Sequence, residues 1–203
     1  MSGLLPADLR VPSLAMAKPV ARVPRPEVLP GGCLYEPKWD GFRCGVVVTD
    51  TGVTIWSRQG KDLTRWFPDL ASGFSEHVPA GCVIDGEALI WTGDRLDFTT
   101  LQARLTTSKR AFPAFVREHP ASFAAFDLLA AAGQDTRGLA LKDRRVLLEE
   151  LAAGWAPPLN LSPVTNDFGT ALEWFEDFPP TGIEGLVITG ASQAYEGGVR
   201  QWL

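Results

Sequence analysis

Cysteine is scarce in this chain of 203 residues, and its three copies, Cys33, Cys44 and Cys82, stand singly inside apolar stretches. Odd in number and without metal-ligand spacing, they build neither a zinc site nor a disulfide framework and are expected as buried thiols. Long apolar runs are missing too: no stretch approaches the roughly 20 residues that span a bilayer. The N-terminus, with Asp8 and several prolines, lacks the basic-then-apolar order of a signal peptide. A soluble cytoplasmic protein with no membrane partner is therefore expected. Positive charge is not in excess either. The formal net charge is -5, whereas nucleic-acid binding rests on Lys and Arg clustered against phosphate. Internal repeats and low-complexity tracts are absent.

What is present is a hydrophobic content of 45%, enough for one large globular domain. Pro6, Pro12, Pro19, Pro24, Pro26 and Pro30 forbid a long helix in residues 1–32. That segment reads as an extended lead-in packed on a domain of residues 33–203, with the core starting near Cys33. Beyond it, β-rich runs predict strands at Leu34–Trp39, Phe42–Thr49, Val53–Ser57, Cys82–Trp91, Phe123–Leu129 and Gly185–Thr189. Asp50-Thr51-Gly52 reads as a hairpin turn. Helices are predicted over Pro68–His77, Thr100–Thr106, Lys142–Ala152 and Thr170–Asp177, the third with Val146, Leu147 and Leu151 as its apolar positions. Mostly antiparallel strands with helices packed outside make an α+β domain. Basic residues gather at Arg58, Lys61 and Arg65, beside Trp66 and Phe67, and again at Arg104, Lys109 and Arg110. Composition alone reads both groups as solvated faces.

Four short elements carry candidate chemistry. Lys38-Trp39-Asp40-Gly41-Phe42-Arg43 sets a lysine, an acid and an arginine around a glycine that lets the backbone turn closely around a ligand. A lysine amine becomes a nucleophile when desolvation or nearby positive charge depresses its pKa, and Arg43 or a metal ion could supply that charge. The plainer alternative is a strand-edge Lys and Asp facing water. In Ile84-Asp85-Gly86-Glu87-Ala88-Leu89, alternation puts both acids on one face, where they could hold a divalent metal or accept hydrogen bonds from ribose hydroxyls. A turn or bulge at Gly86 is the other option. Phe126-Asp127 lies in a buried strand, where the ring can equally be core. Ile183-Glu184-Gly185-Leu186-Val187-Ile188 opens another apolar strand with an acid and a glycine.

Taken together and in this order, the elements resemble the covalent nucleotidyltransferase superfamily of ATP-dependent DNA ligases, RNA ligases and mRNA capping enzymes. Lys38 to Arg43 match its Lys-x-Asp-Gly-x-Arg motif in full, and Ser57-Arg58-Gln59-Gly60 looks like the arginine motif that follows by a hairpin. Asp85-Gly86-Glu87, Phe126-Asp127 and Glu184-Gly185-Leu186-Val187 look like the later motifs. Glu36-Pro37 before the lysine, the run Phe98 to Leu105, and Pro12 to Pro19 are similar to bacterial end-joining DNA ligases. RNA ligase or capping enzyme is the alternative, as is a non-catalytic nucleotide- or DNA-binding fragment.

The resemblance implies an adenylation domain with an ATP-grasp-like arrangement of antiparallel sheets flanked by helices and a nucleotide pocket between the sheets. It implies Lys38 as nucleophile on the α-phosphate of ATP, leaving a lysyl-AMP. Glu36 is then the adenine-edge contact, Arg43 the ribose contact, Phe126 the ring packed on adenine and Arg58 a phosphate ligand. Glu87 and Glu184 are the metal and ribose contacts, with magnesium as the ion. Nicked double-stranded DNA is the expected partner, in DNA repair or recombination, in a bacterial cytosol or nucleoid, with the protein a monomer. The sequence departs from the family after Trp202-Leu203, where relatives run on to a fifth, lysine-bearing motif and an OB-fold domain; Thr189 stands where many carry a basic residue. Slow self-adenylation and impaired nick sealing are the expectations that follow.

Overall fold

Val46, Val47 and Val48 are all buried, so the strand that carries them is covered on both faces. The computed structural model describes residues 5–203. In chain order the elements are β1 (Met16–Ala17), β2 (Cys33–Pro37), β3 (Phe42–Thr49), β4 (Gly52–Ser57), α1 (Pro68–His77), β5 (Cys82–Thr92), β6 (Arg95–Leu96), α2 (Phe98–Thr106) and α3 (Phe112–Glu118). There follow β7 (Ala121–Ala131), β8 (Gln134–Asp135), α4 (Leu141–Ala152), β9 (Leu159–Leu161), α5 (Phe168–Asp177), β10 (Leu186–Gly190) and β11 (Arg200–Trp202). This is the α+β architecture expected.

The main sheet runs β4-β3-β5-β7-β8, with β6 added to β5 and β9 lying parallel to β7. Thr49 pairs with Gly52 across the expected turn, where Gly52 takes φ +134. One face of the sheet, with Val46, Val48, Ile84 and Phe123, packs on Leu70 and Phe74 of α1, Leu101 of α2 and Leu148 of α4. The opposite face, with Val47, Val83 and Leu129, meets Leu5, Leu9, Leu14, Ala15, Tyr195 and Trp202. A separate antiparallel pair, β2 with β10, buries Tyr35 and Ile188 against α5. The parallel pair β1–β11 joins the opening segment to residues 200–202.

Several expectations change in physical detail. The buried core begins well before Cys33, because Leu5, Leu9, Leu14 and Ala15 fill the second face of the sheet. Val146 is 53% exposed, whereas Leu147 and Leu151 pack partly buried on the core as expected, and α4 buries Leu141, Arg144, Arg145 and Leu148 more deeply. Three arginines, Arg104, Arg144 and Arg145, sit in the interior because each finds carboxylate and carbonyl partners. Arg104 is fully buried rather than on a solvated face: it donates to Trp66 O at 2.6 Å, Asp69 Oδ1 at 2.7 Å and His119 O at 3.2 Å. Helix α3 was not expected at all. The three cysteines are free and buried, as read from the sequence.

Candidate active site

Lys38 follows directly on β2, and the β2–β10 ladder continues past it. Its N–H donates to Gly185 O at 2.8 Å, and Glu184 N–H donates to Lys38 O at 2.9 Å. These reciprocal bonds bring the first and fourth elements of the sequence side by side, with Lys38 Nζ 2.5 Å from Glu184 Oε2 and both side chains about half exposed. Gly41 is required for a reason other than ligand approach. A Cβ there would collide with Ala88 O and with the Leu89 side chain of β5, so glycine lets the lysine loop lie flat on the main sheet. Asp40 beside it has its pKa raised by burial and then by the Glu184 charge, with Lys38 opposing.

Arg43 opens the second wall. In the β3–β5 register it stands opposite Glu87, and its guanidinium grips Asp85 through Nε to Oδ1 at 3.0 Å and Nη2 to Oδ2 at 2.7 Å. Burial alone would lower the Arg43 pKa; the charge and hydrogen bonds of Asp85 override this and raise it. Asp85 is fully buried and also accepts from Tyr195 Oη at 2.6 Å, while Tyr195 Oη accepts from Ala15 N at 2.8 Å. Asp85 and Glu87 thus share a side of β5 but differ in task. Asp85 is saturated by the scaffold, whereas Glu87 is pushed up to about 8 by desolvation against the pull of Arg43.

Phe126 reaches the same space through an irregularity of β7. Asp85 pairs with Asp127 but Gly86 pairs with Ala125, so Phe126 is an extra residue and the strand bulges there. The bulge foreseen near Gly86 therefore lies on the partner strand, where it re-aims an aromatic ring. The Arg43 guanidinium lies 5.1 Å from the Phe126 ring and 4.5 Å from that of Trp202. Glu36, on β2 opposite Val187, is buried with Arg145 Nη1 at 3.4 Å. Burial pushes its carboxyl up to about 8, with Arg145 opposing.

Glu36, Lys38, Arg43, Glu87, Phe126 and Trp202 line one cavity of about 110 Å³ between the main sheet and the β2–β10 pair. Five of the residues singled out in the sequence meet there, and Glu184 joins them through Lys38. Arg58 does not: it lies in an adjoining cleft of about 380 Å³, with Arg43 and Glu87 on the shared wall. Among the described residues no three His, Cys, Asp or Glu side chains form a group able to hold a metal. Asp85, a candidate metal or ribose ligand on sequence, is instead taken up by Arg43 and Tyr195, and Tyr195, Trp202 and Arg145 are site neighbours that the sequence did not single out. The sequence carried no signal for Arg145, a polar position on a helix.

The sequence profile described as ATP dependent DNA ligase domain matches residues 15–203. The chain belongs to the ATP-dependent DNA ligase family. DNA ligase C2 of Mycolicibacterium smegmatis is 37% identical over 168 residues, covering 83% of this chain and 48% of that protein. DNA ligase C of Mycobacterium tuberculosis is 37% identical over 172 residues, with the same coverage of 83% and 48%. Among solved structures, mycobacterial DNA ligase D complexed with ATP and MES superposes with a TM-score of 0.71 at 26% identity, covering 94% of this chain and 58% of that one. The likeness thus runs to bacterial ATP-dependent ligases. The chain spans about half the length of the curated relatives it matches, and no helix of the described residues is long and apolar enough to cross a membrane.

Proposed function

We propose that residues 33–203, with residues 5–32 packed on them, form an adenylation domain in which Lys38 attacks the α-phosphate of ATP and expels pyrophosphate. The product is an AMP held on Lys38 Nζ as a phosphoramidate. Before attack Nζ must shed a proton, and the nearest acceptor is Glu184 Oε2 at 2.5 Å. Glu36 would face the adenine edge, Phe126 would stack on the ring for about 0.5–1.5 kcal/mol, and Arg43 would turn an edge of its guanidinium to the ribose. Arg58, in the adjoining cleft, would take phosphate. Transfer of AMP to the 5′-phosphate of a DNA nick and attack by the 3′-hydroxyl would complete ligation, in repair or recombination in the cytosol, by a monomer. Contacts to phosphates rather than bases imply little sequence preference.

The carboxylates here are of the kind magnesium takes. That ion is commonly bound by one or two carboxylates together with waters and substrate phosphates, not by a full protein cage, which matches a site without a three-ligand group. Glu184 and Glu87 would hold it, and when bound it supplies screening of the triphosphate and of the leaving pyrophosphate.

The observation that carries this reading is the shared cavity of Lys38, Arg43, Glu36 and Phe126 with Glu184 on the lysine. It is tested by the intact mass of the chain after incubation with ATP and magnesium. An AMP adduct that disappears in Lys38→Ala supports it; an adduct that persists in the variant sinks it.

A further inference from the structure

Helix α4 carries two consecutive buried arginines, and they differ in how fully their partners are committed. Arg144 is closed. It holds Asp127 through Nε at 2.7 Å and Nη2 at 2.8 Å, and its Nη1 donates to Leu139 O and Gln193 O. Arg145 is open at one end: Nε donates to Glu149 Oε1 at 2.8 Å and Nη2 to Ser162 O at 2.8 Å, while Nη1 reaches Glu36 Oε1 at 3.4 Å. Among the described residues Glu36 Oε2 has no hydrogen-bond partner, and Glu36 lines the cavity of Lys38 and Phe126.

Arg145 also braces the walls around that carboxyl. Ser162 is buried, accepts from Trp39 Nε1 on its Oγ at 3.0 Å and donates its N–H to Ala125 O at 2.7 Å. Trp39 is itself a wall of the cavity, and Ala125 directly precedes the bulged Phe126. One guanidinium fork thus ties to a single helix the Glu36 carboxyl, the residue after the lysine and the strand of the aromatic ring.

The edge that a purine turns to Glu36 is a pair of polar atoms. Adenine offers an amine donor beside a ring-nitrogen acceptor, whereas an oxopurine such as guanine or hypoxanthine offers a carbonyl acceptor beside a ring N–H donor. Burial pushes the Glu36 carboxyl up to about 8, opposed by Arg145 on α4 and Arg43 on β3 and helped by Asp127 on β7 and Asp85 on β5. Near neutral pH it therefore presents one donor and one acceptor side by side. A carboxylic acid free of other contacts can carry its proton on either oxygen and so match either kind of purine. Arg145 removes that choice, because its N–H engages Oε1 as an acceptor and leaves Oε2 to carry the proton.

We propose that Arg145 is a positioning residue for nucleobase selection: by fixing the polarity of the Glu36 carboxyl it makes the pocket accept adenine and refuse oxopurines. The assignment rests on the reading of this cavity as the ATP site with Glu36 at the base edge.

The test is calorimetric titration of the 203-residue chain with ATP and with inosine triphosphate, which differs from ATP only in carrying hypoxanthine for adenine. The parent is expected to favour ATP by about tenfold or more, the effect of mismatching one buried polar pair. Arg145→Gln should cut that preference to within about twofold, and Arg145→Lys, which keeps the charge without the fork, should reduce it by about threefold or more. Glu36→Gln, whose amide can turn either way, should abolish it as well, and the double variant should go no further. The rate of AMP uptake on Lys38 at saturating ATP should change less than the preference does, because Arg145 touches neither the lysine nor the phosphates. Circular dichroism establishes which variants are folded. A parent that does not distinguish the two nucleotides, or an unaltered preference in either folded Arg145 variant, overturns the proposal. So does a full preference in Glu36→Gln, which leaves Arg145 in place. The AMP adduct, read by mass, separates this inference from the reading beneath it. An adduct with a preference indifferent to Arg145 removes the role of Arg145 alone, whereas an Arg145-dependent preference with no adduct removes the adenylation reading and leaves base selection standing.

Discussion

Tyr195 donates its hydroxyl to Asp85 Oδ2 at 2.6 Å, and the same oxygen accepts Arg43 Nη2 at 2.7 Å. One buried carboxylate therefore sets the direction of the guanidinium that forms the pocket wall. A buried ion pair is tolerable when its remaining lone pairs are satisfied, and Tyr195 supplies that satisfaction here while packing its ring against Trp202 at 5.9 Å.

Tyr195→Phe keeps the ring and removes the hydroxyl. Asp85 and Ala15 N–H each lose a buried partner, an expected cost of about 1–3 kcal/mol in denaturant unfolding. Arg43 should lose its fixed orientation, so ATP affinity should fall several-fold in a calorimetric titration. Unchanged ATP affinity at reduced stability would assign Tyr195 to the scaffold alone.

Glu36 and Glu87 carry carboxyls pushed up from 4.5 to about 8 by burial. The folded protein then binds more protons than the unfolded chain between those values, so their contribution lowers stability as pH rises from about 4.5 to about 8. Glu36→Gln and Glu87→Gln keep the shape without the charge. Each variant should match the parent near pH 5 and exceed it above pH 8 by on the order of 1 kcal/mol or more, read as melting temperature across pH. A parent that is no less stable at pH 9 than its variants would contradict this.

Arg104→Ala should cost about 3–5 kcal/mol, the usual effect of stripping one partner from a buried ion pair, here Asp69 with two carbonyls besides. A solvated-face arginine would cost within about 0.5 kcal/mol, so equilibrium unfolding discriminates cleanly between the two.

Gly41→Ala places a methyl against Ala88 O and the Leu89 side chain. Lifting the loop off β5 should cost about 1–3 kcal/mol and slow AMP uptake on Lys38 in a timed mass assay. Wild-type rates would show that the loop has slack.

Much of this was legible in the residues. Periodicity placed β3 at Phe42–Thr49 and α1 at Pro68–His77 without error. Helices α2 and α5 begin two residues earlier than periodicity suggested because Asp97 and Asp167 cap them, accepting from Thr100 N and Thr170 N. That capping signal stood in the sequence and was not used. Lys38, Glu87 and Glu184 stood out as charged groups near glycines, the roles of Glu36, Arg43, Arg58 and Phe126 came from the family resemblance, and six of the seven are grouped around the pocket and Lys38. Hidden from sequence were the long-range polar partners. Arg104 read as a surface residue and Arg145 drew no reading at all, because nothing local reveals that Asp69, or Glu36 and Ser162 O, await them. Tyr195 and Trp202 escaped notice as site residues because their contacts cross more than seventy positions.

The second core binds Leu5, Leu9 and Leu14 to Tyr195 and Trp202, and Ala15 N reaches Tyr195 across 180 positions. A nascent chain leaving the ribosome can therefore assemble the β3–β4 hairpin early. It must keep one face of the main sheet uncovered until residues 195–202 have emerged. Closing so long a loop is entropically late, so the nucleotide pocket, whose wall includes Trp202, is completed only after residues 195–202 have left the ribosome.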